Sequence, residues 1–100
     1  MNKREIKFHK KYEAVFQSGK APVDQLADGF DVVLSRILVE SEWEMDLLRA
    51  MGDKGGLVKE QIKHSTLQHV VEVFGECYLR ATGNSWVRDA NHMLKEDENE

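Results

Sequence analysis

The sequence predicts an all-α fold, a small bundle of four to six helices in a single domain. Three observations carry this. Apolar side chains recur with a period of 3.6 residues, not with the alternation of strands. Glycines fall where that period stops, at Gly19, Gly52, Gly55, Gly56 and Gly83. The 100 residues hold only one proline and seven glycines, too few for a turn-rich β-sandwich. Hydrophobic residues make up 41%, enough for one core but not two, and too many for a disordered chain. We expect a helical domain over residues 1–95 and a frayed acidic tail over 96–100.

The first segment runs from Lys3 to Ser18. Phe8, Tyr12, Val15 and Phe16 share one face, and Lys3, Lys7, Lys10 and Lys11 lie opposite. Gly19 stops it.

The second segment starts at Pro22, whose missing N–H would have no partner at a first helical position anyway. Val23, Leu26, Phe30, Val33, Leu34, Ile37 and Leu38 form one stripe, which continues through Ser41 to Met45 and Leu48. Asp24, Asp28, Asp31, Glu42 and Asp46 read as an acidic face. A second apolar row runs through Val32, Val39, Trp43, Leu47 and Ala50. Two rows mean a helix packed on two sides: a central helix, or one whose second row meets another chain. An unbroken helix here would be about 45 Å long. A compact domain of this size has a radius of gyration near 13 Å. Ser41-Glu42-Trp43-Glu44 matches a capping box, so a break near Ser41 is expected.

After Asp53, a short helix over 57–64 is expected to hand over to a longer one over 66–82 at a second capping-box candidate, Ser65-Thr66-Leu67-Gln68. Leu67, Val70, Val71, Phe74, Cys77, Tyr78 and Ala81 make its stripe, with Cys77 read as a buried small hydrophobe. Gly75, inside that helix, suggests a close helix crossing. Ser85 is read as the cap of a last helix carrying Trp86, Val87, Ala90, Met93 and Leu94. Phe8, Tyr12, Phe16, Phe30, Leu34, Ile37, Leu67, Phe74 and Tyr78 are the expected core.

Charge comes in blocks. Residues 1–20 carry six bases against two acids, and residues 21–53 two against eight. Residues 54–95 carry six bases against four acids, and the last five residues add four acids. Such blocks hold a bundle together across its faces or present one sign to a partner.

Several function classes fall away. A single cysteine forms no internal disulfide and no Cys₄ zinc site. No apolar run is long enough to span a membrane, and no apolar stretch follows the basic N-terminus as in a signal peptide. A soluble, cytoplasmic protein is expected. Neither Gly-x-Gly-x-x-Gly, a phosphate loop, nor Gly-x-Ser-x-Gly occurs. His69, Glu72 and Glu76 share a helix face with metal-ligand chemistry, but Arg80 sits one turn beyond Glu76 to pair with it. No Glu-x-x-His occurs, so a dimetal bundle is not expected. The alternating acids Glu40, Glu42, Glu44 and Asp46 leave a carboxylate- and metal-dependent helical hydrolase as a remote alternative. We expect no cofactor and no metal.

The leading expectation is a non-enzymatic protein-interaction module: a regulator, adaptor or inhibitor, possible partners including a nucleic-acid-handling machine. Its contact residues would be Val32, Val39, Glu42, Trp43, Asp46, Leu47 and Ala50, with Trp43 as anchor and a homodimer as the simplest assembly. The main alternative is a helix-turn-helix over 42–64 that offers Lys54, Lys59, Gln61, Lys63 and His64 to DNA. Against it stand the acidic preceding helix and a sequence pI of about 5.6.

Overall fold

A computed structural model describes residues 2–93; the acidic tail expected over 96–100 lies outside the described residues. Three α-helices and one 3-10 turn make up the secondary structure, with no strand among the described residues. The all-α expectation holds, but the number of helices is smaller than expected. Contacts gather into two compact units. One holds residues 2–36 and 87–93 of the described chain, and the other Ile37–Trp86.

Helix α1 spans Lys3–Phe16. The Asn2 side chain caps it by accepting the Glu5 N–H at 2.9 Å. Its aromatic residues lie one above another: Phe8 stacks on Tyr12, and Tyr12 meets Phe16 edge-on with centroids 5.1 Å apart. The Arg36 guanidinium sits 4.3 Å over the Phe8 ring. Gly29 leaves room for the Phe16 ring; a β-carbon there would lie 3.0 Å from its Cζ.

Helix α2 spans Pro22–Met51 without interruption, so the break expected at Ser41 does not occur. The capping box matches in sequence, but Ser41 stays helical and its hydroxyl donates to Glu60 Oε2 at 2.6 Å. Every buried hydrophobic side chain among the described residues is on α2: Ala27, Val32, Leu34, Leu38, Val39 and Leu48. Asp31, Ser35 and Ser41 are buried among them. Small residues at 27, 29, 35 and 41 let neighbouring chain approach this helix closely. Asp31 therefore leaves the acidic face on which it was expected.

Helix α3 spans Lys54–Thr82, also unbroken. Its N-cap is Asp53, which accepts the Gly56 N–H at 2.9 Å. Gly55 and Gly56 thus belong to its first turn and do not terminate anything. Thr66, the expected restart, instead donates its hydroxyl to the Ile62 carbonyl one turn back. In the second unit, Ser41 meets Glu60, Glu42 approaches His64, and a β-carbon on Gly56 would press on Leu48. Those pairings run in opposite chain directions, so α2 and α3 form an antiparallel hairpin there. Gly83, at φ +78°, ends α3 with its N–H on the Leu79 carbonyl.

No α-helix follows Ser85. Residues 85–89 are irregular and a 3-10 turn covers Ala90–Met93. Trp86 turns back over α3, its ring centroid 4.5 Å from that of Phe74. A β-carbon on Gly75 would touch the Trp86 ring at 3.5 Å, so this glycine accommodates an indole, not a helix crossing. The expected core is also too generous. Leu34 is buried, but Phe8, Tyr12, Phe30, Ile37, Leu67, Phe74 and Tyr78 are half-buried and Phe16 is exposed. Cys77 is exposed.

Candidate functional site

Two features stand out, one in each unit. In the first, Asp31 is the hub of a polar cluster. Its Oδ1 accepts from the Ser35 hydroxyl at 3.1 Å and from Arg88 Nε at 2.7 Å. Its Oδ2 accepts the Asp89 N–H at 3.1 Å and lies 3.0 Å from His92 Nδ1. The Arg88 guanidinium also donates to Ser35 Oγ. α2 places Asp31 and Ser35 one turn apart; the irregular segment after Trp86 brings Arg88 back to them, and the 3-10 turn brings His92. Burial pushes the Asp31 pKa up. The Arg88 hydrogen bond, the Asp89 N–H and the charges of Arg88 and His92 outweigh it, and the carboxyl ends below its ordinary value.

A carboxylate has about four lone-pair sites. All four of Asp31 are used by its own chain, so nothing is left to hold a ligand. Ser35 is no nucleophile either. It is fully buried, its hydroxyl donates to a carboxylate, and the imidazole contacts the aspartate instead of the serine. An open cleft of about 480 Å³ lies beside the cluster, with Lys11, Lys20, Asp28, Val87 and Arg88 among its lining. Its charges are largely matched within the chain; Lys20 Nζ, for example, sits 2.8 Å from Asp28 Oδ2.

The second feature is apolar. The Ile37–Trp86 unit exposes Leu47 and Met51 near the end of α2, and Val58, Ile62, Val70, Val73 and Leu79 along α3. The row expected to bind a partner is partly buried and partly exposed. Val32 and Val39 are 4% and 5% exposed, so the chain itself covers them and neither can contact a partner. Trp43 is half-buried, whereas Asp46, Leu47 and Ala50 are exposed. Glu42 is half-buried and its Oε2 lies 3.9 Å from His64 Nε2.

Of the residues expected to reach DNA, Lys54, Lys59, Gln61 and Lys63 are exposed on α3. His64 is turned inward toward Glu42, and its Nε2 is buried without a hydrogen bond. The two helices joined at Gly52-Asp53 run back along each other, whereas the helices of a helix-turn-helix cross at about 90–120°. His69 lies 3.9 Å from Glu72 and Arg80 bonds Glu76 at 2.8 Å, all on the solvent side. No group of three or more potential metal ligands gathers among the described residues. No helix of the described residues is long and apolar enough to cross a membrane.

Sequence reasoning missed Asp31 as a hub because Arg88, Asp89 and His92 come 57–61 positions later. One signal was available: an acid flanked by Phe30 and Val32, one turn from Ala27 and from Ser35, sits on the apolar side. Comparison with family models, with curated proteins and with solved structures finds no significant match to this chain.

Proposed function

We propose that this chain is a small non-enzymatic protein-interaction module, a regulator, adaptor or inhibitor that works by contact with another protein in the cytoplasm. The observation that carries this reading is the exposed aliphatic surface of the Ile37–Trp86 unit. Met51 is 65% exposed, Ile62 63%, Val58 54% and Leu47 53%. Single exposed aliphatics are ordinary. Five along one helix, with two more near the end of its neighbour, favour contact with another chain. Exposed Glu40, Glu44 and Asp46 beside Leu47 keep that surface soluble and favour a basic rim on the partner. The saturated polar cluster at Asp31 supports the same reading, because the most elaborate arrangement of polar groups in the described chain serves to hold it together.

The helix-turn-helix alternative retains three exposed lysines on α3 but loses His64 and the crossing geometry, and is the weaker reading. The deciding experiment places a photo-crosslinking amino acid at Leu47, Met51 or Ile62, with exposed Gln68 as the control. We expect a discrete crosslinked protein from the apolar positions and none from Gln68. The reading fails if none of the three apolar positions captures a protein chain in cells.

A further inference from the structure

The solvent side of α3 carries a pattern that names a partner. Lys59, Ile62, Thr66, His69, Val73 and Glu76 follow spacings of three, four, three, four and three, the spacing of a coiled-coil seam. All six are exposed. The aliphatic residues Val58, Val70 and Leu79 border the seam and are exposed as well. The seam is complementary to itself when reversed. Read from its two ends inward, lysine matches glutamate, isoleucine matches valine, and threonine matches histidine.

We propose that a second copy of this chain docks here, α3 against α3, antiparallel about a two-fold axis between Thr66 and His69. This rests on the interaction reading above and deepens it by naming the partner. In that register Lys59 faces Glu76 of the other copy, Ile62 faces Val73, and Thr66 faces His69. The two-fold repeats each pair, as an isologous interface requires. Parallel pairing would set Lys59 against Lys59 and Glu76 against Glu76, which like-charge repulsion disfavours. The apolar pair Ile62–Val73 sits between the charged ends and the polar centre, so the charges fix direction while the aliphatics supply the burial. The seam from 59 to 76 is about 26 Å long at 1.5 Å per residue, within a helix of 29 residues.

The test uses disulfides in purified protein with Cys77→Ser as background. Residues 62 and 73 of one chain stand about 16 Å apart along the helix. A disulfide requires Cα atoms within about 7 Å. A bond between them is therefore intermolecular. The double variant Ile62→Cys/Val73→Cys should form a covalent dimer under mild oxidation, and either single variant alone should not. Mixing the two single variants should give the mixed dimer. Light scattering of the unmodified chain should give twice 11.5 kDa at high concentration. Lys59→Glu should weaken the dimer about tenfold or more, and adding Glu76→Lys should restore it.

A monomeric mass at every concentration, no crosslink in the double variant, or crosslinking of the single variants as fast as the double would each overturn the proposal. If the photo-crosslinks at Leu47, Met51 or Ile62 capture a different protein while purified chain stays monomeric, the interaction reading survives and the second copy does not.

Discussion

Two arginines eight positions apart each hold a carboxylate with Nε, and each belongs to a different unit. Arg80 bonds Glu76 at 2.8 Å in the Ile37–Trp86 unit, and Arg88 bonds Asp31 at 2.7 Å in the other. The geometry is almost the same and the surroundings are not. Side chains of Arg80 and Glu76 are 80% and 57% exposed, whereas those of Arg88 and Asp31 are 26% and 5% exposed. Distance therefore says little about what each bridge contributes. In water the attraction is screened and offset by side-chain entropy. In the interior the same contact is strong, and removing one partner strands a desolvated charge. The first unit closes on itself through such a contact. The second unit packs through Leu38, Val39, Leu48 and the Ser41–Glu60 bond, and leaves aliphatic surface uncovered.

The largest effect should come from breaking the closed side of this comparison. Asp31→Ala removes the acceptor of Ser35, Arg88 and the Asp89 N–H together. Arg88 remains a quarter exposed and can recover some hydration, so the loss should fall near the low end for a broken buried pair, about 3 kcal/mol in chemical denaturation. Amide exchange should rise at Asp89 while the hairpin residues around Glu60 keep their protection. Uniform loss of protection across both regions would show that the cluster does not act locally.

Acid should remove part of the same contribution without a mutation. Asp31 titrates below the ordinary carboxyl range in the folded chain. Its contribution is thus complete above the unfolded value, about pH 3.9, and is lost as pH falls through the lower folded value. The stability difference between the unaltered chain and Asp31→Asn should shrink as pH falls below about 4. A difference that grew on acidification would mean the folded pKa is raised, not lowered.

The second unit is best probed by neighbouring glycines of α3 with opposite expected responses. A β-carbon on Gly56 would lie 2.9 Å from Leu48 Cδ2 and 2.6 Å from Asp53 Oδ2. One on Gly55 would meet only Asp53 Oδ1, at 4.0 Å. Alanine improves helix propensity by about 1 kcal/mol at either site. At Gly56 the overlap should outweigh that gain and leave a net loss of about 1–2 kcal/mol. At Gly55 a gain of up to about 1 kcal/mol should remain. Denaturation midpoints of the two variants should fall on opposite sides of the parent; matching shifts would mean the hairpin yields at Leu48.

What could be read from sequence follows from how local each determinant is. Gly19, Gly52 and Gly83 were expected as stops, and all three have positive φ, between 73° and 78°. A left-handed residue is a property of one position, which glycine announces. The capping signals at Ser41 and Ser65 were misleading because a hydroxyl can serve several partners. At Ser41 the winning partner, Glu60, lies 19 residues on. The last helix failed for a related reason: Trp86, Arg88 and His92 are drawn to Phe74 and Asp31, and those contacts replace helical ones. The expected partner row of Val32, Val39, Trp43, Leu47 and Ala50 runs from buried to exposed, and periodicity carries no information about that change.

The smallest expected effect sharpens the comparison from its open side. Arg80→Ala removes the short bridge to Glu76, and the replacement has slightly better helix propensity than arginine. Exposed bridges one turn apart are worth about 0.3–0.5 kcal/mol, because both side chains keep most of their hydration with or without the contact. Arginine near a helix C-terminus also faces the negative end of the dipole, adding about 0.3 kcal/mol at low salt. The net change should therefore stay below about 1 kcal/mol. It should also shrink further as salt is raised, since both terms act through solvent. Arg88→Ala, with the nearly equal bond length, should cost several times more and respond weakly to salt, because its carboxylate partner is buried. Equal losses for the two substitutions across a salt titration would show that burial does not separate these bridges.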